Sequence, residues 1–162
     1  MKTLLIIRSV SFQQLDLNLP EIKKKFPDHK VCLLTHPHGL ELAKKYKDID
    51  EVYSYDYTGA FQTKNKVPQI QGQSFDVIIV PVTNLTGSSF ENVLQYGVSL
   101  KAKEYYMCNL ISEITRITKG GVWGKKILCG VYRLIAVILT VPCTLLFALM
   151  WLFNYRRLCK QS

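Results

Sequence analysis

Apolar and polar residues alternate in blocks along the first two thirds of the chain. Continuous apolar runs that lack a polar face are typical of strands buried on both sides, as in a parallel sheet. The clearest run is FDVIIVPV, at residues 75–82. The pattern predicts five strands, at residues 3–8, 31–35, 52–55, 75–82 and 105–108.

Helical spacing between these runs predicts three helices. Asn18, Pro20 and Glu21 form a helix-start pattern, so the first helix is expected over residues 18–26. The others are expected over residues 40–46 and 90–96, the last capped by Ser88 or Ser89. Residues 56–73 show no period and are interpreted as a surface excursion. Alternating strands and helices predict an α/β fold: a single Rossmann-like domain with a roughly five-stranded parallel sheet, over residues 1–109.

The pattern changes at residue 110. Four apolar residues at helical spacing predict a helix that ends at Gly120-Gly121: Leu110, Ile111, Ile114 and Ile117. Residues 110–133 as a whole are interpreted as a basic amphipathic segment at a membrane surface, because tryptophan and snorkelling lysines favour that interface. An alternative is a last helix packed on the sheet. The predicted membrane-interface residues are Trp123, Lys125, Lys126, Arg133, Arg156 and Arg157.

Residues 134–153 contain no charged side chain, and about twenty such residues suffice for a helix to cross a bilayer. We therefore expect a C-terminal membrane helix, followed by a short basic tail at residues 154–162. A re-entrant or in-plane helix is the alternative, because Pro142 lies mid-segment. The first apolar run is too short for a signal peptide, so we expect a single C-terminal anchor and a domain on the cytoplasmic face of the inner membrane.

The net charge of +9 is concentrated near the apolar segment. Residues 1–100 carry 11 Lys and Arg against 10 Asp and Glu, whereas residues 101–162 carry 10 against 2. Basic residues beside a membrane span attract anionic lipid head groups. Membrane lipids are therefore the expected partner, and nucleic acid is not.

Other chemistry has weaker signals. The five cysteines form no C-x-x-C pair, and no phosphate-binding glycine motif occurs, so no metal and no cofactor is predicted. His36 and His38 could hold a metal or a phosphate, with surface polar residues as the alternative. The turn from Thr86 to Ser89 could hold a phosphate at the start of a helix, with ordinary capping as the alternative.

Ligands of open parallel sheets bind at the carboxyl ends of the strands. The loops expected there follow the first, second and fourth strands. The candidate acceptor-binding residues in the first and last of them are Ser11, Gln13, Gln14, Asp16, Thr83, Asn84, Thr86 and Ser88.

Several segments occur in a familiar order: LLIIR at residues 4–8, KKKFPDHKVCLLT at 23–35, DIDEVYSYD at 48–56 and then FDVIIVPV. In this order and spacing, the first 108 residues resemble the N-terminal, acceptor-side half of the heptosyltransferase-like glycosyltransferases of family 9, which have the GT-B fold. Those enzymes build lipopolysaccharide cores. The resemblance implies a role in cell-envelope glycan or glycolipid assembly.

The chain departs from that family in two respects. The family's first loop carries a Gly-Asp pair whose Asp is taken to be the general base, and this chain has Gln13 and Gln14 there. An amide cannot accept a proton as a carboxylate does, and Asp16 would substitute only in a rebuilt loop. The family's donor-binding half is also replaced by the apolar segment.

Three functions follow from these observations. The first is the acceptor-binding half of a split glycosyltransferase, which needs a second glycosyltransferase subunit and presents a lipid-linked sugar acceptor to it. Such a protein should expose an apolar or aromatic patch beside the carboxyl ends of the strands, expected within residues 53–61. The second is a non-catalytic adaptor or sugar-binding module, and the third is a free-standing enzyme of another type.

Overall fold

A computed structural model describes residues 2–159, apart from the side chains of residues 149 and 152–159. Its centre is a six-stranded sheet with the order β3-β2-β1-β4-β5-β6. Strands β1 to β5 are parallel, and β6 runs antiparallel to β5. The strands are β1 Lys2–Ile7, β2 His29–Thr35, β3 Glu51–Ser54, β4 Phe75–Pro81, β5 Ala102–Cys108 and β6 Ile114–Ile117. All five predicted strands are present, and β6 is an addition.

Helices α1 (Phe12–Lys25), α2 (Leu40–Ala43) and α3 (Glu91–Ser99) connect the parallel strands, and a 3-10 turn (Pro37–Gly39) leads into α2. Alternate residues of β1 divide the core between the two faces of the sheet. Leu4 and Ile6 belong to the cluster that contains the α1 side chains, whereas Leu5 and Ile7 belong to the one that contains the α3 side chains. The direction of the strand order reverses between β1 and β4. The connection that contains α1 packs on one face of the sheet, and the connection that contains α3 packs on the other.

Helix α1 begins earlier than the capping pattern predicts. Its N-cap is Ser11, whose hydroxyl accepts a hydrogen bond from the backbone N–H of Gln14 at 3.3 Å. The predicted cap, Asn18, lies buried in the helix, and Pro20 is inside it. An interior proline costs about 3 kcal/mol. The helix tolerates it because apolar residues at helical spacing bury one face against the sheet: Leu15, Leu19 and Ile22.

The helix predicted from residue 110 is wrong. The buried side chain of Asn109 instead organises a turn, because its Oδ1 accepts hydrogen bonds from the N–H groups of Ile111 (3.1 Å) and Glu113 (2.9 Å). Ser112 has a positive φ of 62° in this turn. The chain therefore reverses into β6, whose backbone pairs with β5. The hydrogen bonds from the Asn109 side chain to the backbone favour a turn, and this preference outweighs the helical spacing of the apolar residues.

Residues 56–73 are more than a surface excursion. Most of their side chains are exposed, but three insert into the core beside α3: Phe61, Val67 and Ile70. Phe61 and Tyr96 pack against Tyr55 at centroid distances of 4.4 and 5.6 Å. This segment therefore covers the sheet where a further helix would otherwise lie.

Helix α4 runs over Lys119–Cys159 and remains helical through Pro142, so the predicted helix end at Gly120-Gly121 is wrong. Contacts divide the chain into a unit that extends to Trp123 and a unit that begins at Gly124. Within α4, Lys119–Ala148 is long and apolar enough to cross a membrane, with a mean hydropathy of 2.0 over its most apolar window. The helix is a candidate membrane span. The hydroxyls of Thr140 and Thr144 bond to backbone carbonyls of their own helix, which suits an apolar surrounding.

Candidate ligand groove

Arg8 and Thr35 meet at the carboxyl ends of two neighbouring strands. The parallel register pairs Ile7 with Leu34, so the next residue of each strand emerges at the same edge. The backbone N–H of Arg8 extends the ladder with a 2.9 Å bond to the carbonyl of Leu34. This edge is where ligands of open parallel sheets bind.

The guanidinium of Arg8 is buried and bonded to neutral groups. Its Nε donates to the hydroxyl of Thr35 at 2.7 Å, and Nη1 donates to the carbonyl of Val10 at 2.8 Å. Nη2 lies 3.3 Å from Nε2 of His38. Arginine only donates, so this imidazole nitrogen accepts and the His38 proton lies on Nδ1. The guanidinium also covers the ring of Phe12, with Cζ 4.3 Å from the centroid. Burial lowers the pKa of Arg8 below its usual value.

A groove of about 540 Å³ opens beside this guanidinium. Two further lining residues are joined, since the hydroxyl of Tyr46 donates a 2.5 Å hydrogen bond to Oδ1 of Asp16. Burial and this bond raise the pKa of Tyr46 to about 12, so the phenol keeps its proton and orients the carboxylate. The groove is lined by Arg8, Ser11, Phe12, Gln13, Asp16, His38, Leu42 and Tyr46. We call it the Arg8 groove.

Three of the predicted acceptor-binding residues line this groove: Ser11, Gln13 and Asp16. They do so from a helix and its cap rather than from a loop, since α1 already begins at Phe12. Because Asp16 lies in the first half of α1, it reaches the groove without a rearranged loop between β1 and α1.

Gln14 has a different environment. Its side chain is buried, and Nε2 donates to the carbonyl of Leu110 and to Oδ1 of Asn18, both at 3.0 Å. The hydroxyl of Ser112 also donates to Oδ1 of Asn18, at 2.9 Å. Gln14 therefore ties α1 to the turn before β6 and does not line the Arg8 groove.

Comparison with protein-family models, curated proteins and solved structures gave no match. Function must therefore be inferred from the residues of the chain itself.

The predicted residues after β4 lie on a separate turn. Oδ1 of Asn84 accepts from the N–H of Gly87 at 2.6 Å, and the hydroxyls of Thr86 and Ser88 bond to each other at 2.7 Å. Thr83 is exposed and does not line the Arg8 groove. These side chains largely satisfy one another, which is typical of a self-contained turn.

The start of α3 does not suit a phosphate. Its N-cap is Phe90, with no side-chain cap, so the prediction of a Ser88 or Ser89 cap is wrong. The N–H of Ser89 donates instead to the carboxylate of Glu91 at 3.1 Å. A carboxylate already occupies the position where an anion would bind.

The two histidines have separate roles. The ring of His36 bonds to the carbonyl of Gly59 at 2.9 Å and stacks on that of His38 at a centroid distance of 5.7 Å. Across the part of the chain that the structure describes, no three His, Cys, Asp or Glu side chains are grouped to hold a metal ion.

The predicted interface residues lie on α4. Trp123, Lys125, Lys126 and Arg133 are exposed on this helix. Arg156 and Arg157 also belong to it, but their side chains lie outside the described ones.

Sequence reasoning did not identify Arg8 or Tyr46 as site residues. Arg8 follows an apolar strand directly, and a charge in that position is a usable signal. Tyr46 carries no such signal, because its helical spacing with Leu40 and Ala43 equally predicts a core residue.

Proposed function

We propose that this protein is a membrane-anchored, glycosyltransferase-like domain that binds the acceptor in glycan or glycolipid assembly. The observation that carries the proposal is the Arg8 groove, where Asp16, oriented by Tyr46, lies at the carboxyl ends of the strands. The candidate span in α4 would tether the domain to the membrane that holds lipid-linked substrates.

The strand order β3-β2-β1-β4-β5 supports a Rossmann-like assignment, because doubly wound folds use this order and bind ligands at the same edge. In this proposal the domain corresponds to the acceptor side of the heptosyltransferase-like family, on the cytoplasmic face of the membrane. Antiparallel β6 is a departure from the all-parallel pattern.

Asp16 takes the role of general base in this proposal. Its carboxylate removes the proton of an acceptor hydroxyl while that oxygen attacks the anomeric carbon of a nucleotide-sugar. The bond to the nucleotide diphosphate breaks, and the leaving group takes the electron pair. A second subunit supplies the nucleotide-sugar, so the protein does not complete the reaction alone.

Exposed apolar residues are consistent with such a partner, and the most exposed of them lie outside the predicted range. Within residues 53–61, Tyr55 and Phe61 are buried, whereas Tyr57 is 39% exposed and its hydroxyl donates to the carbonyl of Lys66. Leu17 and Ile111 are instead 63% and 69% exposed, on α1 and on the turn before β6. The hydroxyl of Ser112 bonds to the carbonyl of Leu17, which holds these two segments together. A docked donor-binding subunit would cover this surface.

The test is purification of the full chain from native membranes in mild detergent. We expect a stoichiometric partner that binds a nucleotide-sugar, and a complex that transfers sugar to a lipid acceptor. Asp16→Asn should keep the complex and lower transfer by a factor of about a hundred or more. Asp28→Asn, an exposed change in the turn after α1, is the matched control. A chain that elutes alone and binds no nucleotide-sugar would overturn the proposal.

One observation favours a non-catalytic sugar-binding module instead. Gln14, which replaces the family's acid, is built into the interior. In that case the purified complex would bind a glycan but Asp16→Asn would leave its function unchanged.

A further inference from the structure

The charge of Arg8 has no counterion among the described residues. Its side chain is 8% exposed, and its three acceptors are a hydroxyl, a carbonyl and an imidazole nitrogen. The described part of the chain contains ion pairs elsewhere, such as Arg116 with Glu104, but none that includes Arg8. A buried charge is unfavourable unless it is paired. An anion bound beside Arg8 would therefore be favoured.

The guanidinium has donors left for such an anion. Nη1 and Nη2 each carry two N–H groups, and the contacts to Val10 and His38 use one on each. Arg8 also lines the groove. Arginine N–H groups form strong, charge-assisted hydrogen bonds with phosphate oxygens.

The start of α1 adds to the preference for an anion. This helix of 14 residues begins beside Arg8 and has no acidic residue in its first turn. The N-terminus of a helix carries partial positive charge and free backbone N–H groups. Ser11 supplies an exposed hydroxyl at the same end of the groove.

Asp16, which also lines the groove, suits a different chemical group. Its carboxylate accepts hydrogen bonds, as sugar hydroxyls require, and it would repel an anion. The groove thus combines a cationic group with a hydrogen-bond acceptor.

We propose that the ligand of the Arg8 groove is a sugar phosphate, whose phosphate binds to Arg8 and whose hydroxyls face Asp16. This assignment rests on the proposed function and names its substrate class. The phosphate ester belongs either to a soluble sugar phosphate or to a polyprenyl-phosphate-linked sugar in the membrane.

The experiment uses the full chain in phosphatidylcholine nanodiscs. Glucose 1-phosphate is titrated by calorimetry, with glucose as the neutral control. The titration is repeated with a polyprenyl phosphate in the nanodisc. We expect glucose 1-phosphate to bind and glucose not to bind detectably. Competition by polyprenyl phosphate would identify the lipid source, and its absence the soluble one. Binding of neither phosphate would overturn the proposal.

Two groove variants and one control variant make the test specific. Gln13→Glu places a second carboxylate in the groove at an exposed position early in α1, where an acid does not weaken a helix. It should weaken phosphate binding by about tenfold, whereas Gln62→Glu, an exposed change outside the groove, should not. Arg8→Lys should weaken binding by about ten- to a hundredfold. Equal affinity in all four proteins would overturn the proposal.

The outcome is independent of the partner. Phosphate binding by the purified chain without any partner would sustain the ligand assignment even if the split-enzyme function failed. A partner complex with transfer activity but no phosphate binding at Arg8 would sustain the split-enzyme function and overturn the ligand assignment.

Discussion

A Cβ atom on Gly39 would lie 2.9 Å from Nη2 of Arg8 and 2.6 Å from the hydroxyl of Thr35. Contacts this short require a neighbour to move. Gly39 itself has an ordinary φ of −98°, so the backbone conformation does not require glycine. The small residue is needed for space, because the turn that carries His38 lies directly against the guanidinium.

Gly39→Ala should therefore displace Arg8 and destabilise the protein by about 1–3 kcal/mol, the usual cost of overpacking. Hydrogen exchange of β1 and β2 amides in the full chain measures the change. Gly120→Ala is the control, because a Cβ there meets nothing within 4 Å. Wild-type hydrogen-exchange rates in Gly39→Ala would contradict this prediction, because they would show that the turn accommodates the methyl group without loss of stability.

Gln14→Asp tests whether the acid that the family resemblance places at this position can act as a base. The new carboxylate would be buried beside the carbonyl of Leu110 and the amide oxygen of Asn18, which now accept from Gln14. We expect a loss of about 2–4 kcal/mol in the free energy of unfolding and no gain in transfer activity.

Gln13→Asp is the matched control for that change. Residue 13 is exposed in the first turn of α1, where an acid is favourable, so stability should not fall. Equal stability of the two variants would contradict the buried role of Gln14.

The centre of the parallel sheet was predictable because β1, β2 and β4 contain continuous apolar runs. A strand that is buried on both faces has apolar residues at successive positions, so its sequence does not show the alternating apolar and polar pattern of a half-exposed strand. The run at β4 is therefore the clearest example. Ser11, Gln13 and Asp16 were predictable for a related reason, since whatever follows β1 must emerge at the carboxyl edge.

The errors arise where a single side chain decides the backbone. Asn109 organises a turn that the spacing of Leu110 and Ile114 conceals. Pro20 imitates a helix start, whereas apolar contacts extend α1 on both sides of it. The approach of Tyr46 to Asp16 joins residues thirty positions apart, and no local pattern encodes that distance.

Tyr96 has a buried hydroxyl for which the described residues provide no hydrogen-bond partner. Burial raises its pKa above the usual value. Tyr96→Phe removes this uncompensated polar group and keeps the ring against Tyr55, so we expect a gain of about 1 kcal/mol in the free energy of unfolding.

Tyr55→Phe should have the opposite effect and serves as the comparison. The Tyr55 hydroxyl accepts from the N–H of Gln62 at 3.0 Å and from Asn65 at 2.8 Å, and both donors would lose their partner. We expect a loss of about 1–2 kcal/mol. A loss in Tyr96→Phe as large as that in Tyr55→Phe would indicate that the Tyr96 hydroxyl has a favourable interaction.

The raised pKa of Tyr46 leads us to expect that the protein loses stability at alkaline pH. Its pKa is raised from 10.0 to about 12 in the folded protein, by burial and by the bond to Asp16. The folded state therefore holds this proton more tightly than the unfolded state. Its stabilisation is complete below pH 10 and is lost as the pH rises towards 12. Urea unfolding of the full chain at several pH values should show a smaller decline for Tyr46→Phe. Identical slopes would contradict the folded environment assigned to Tyr46.

The cysteines of α4 test the membrane span. Cys129 and Cys143 are both free and exposed on the helix, so the described residues cover neither thiol and a bilayer would distinguish them. Cys143 lies inside the uncharged stretch at residues 134–153, and Cys129 lies in the preceding basic segment at residues 110–133, although both belong to the apolar part of α4. In open membrane fragments, with the other cysteines replaced, an impermeant maleimide should label Cys129 and leave Cys143 unmodified. Labelling after unfolding in dodecyl sulfate controls for thiol oxidation. Labelling of Cys143 as complete as that of an accessible Cys129 in intact bilayers would rule out a spanning helix, because a thiol in the hydrocarbon core is inaccessible to a charged reagent.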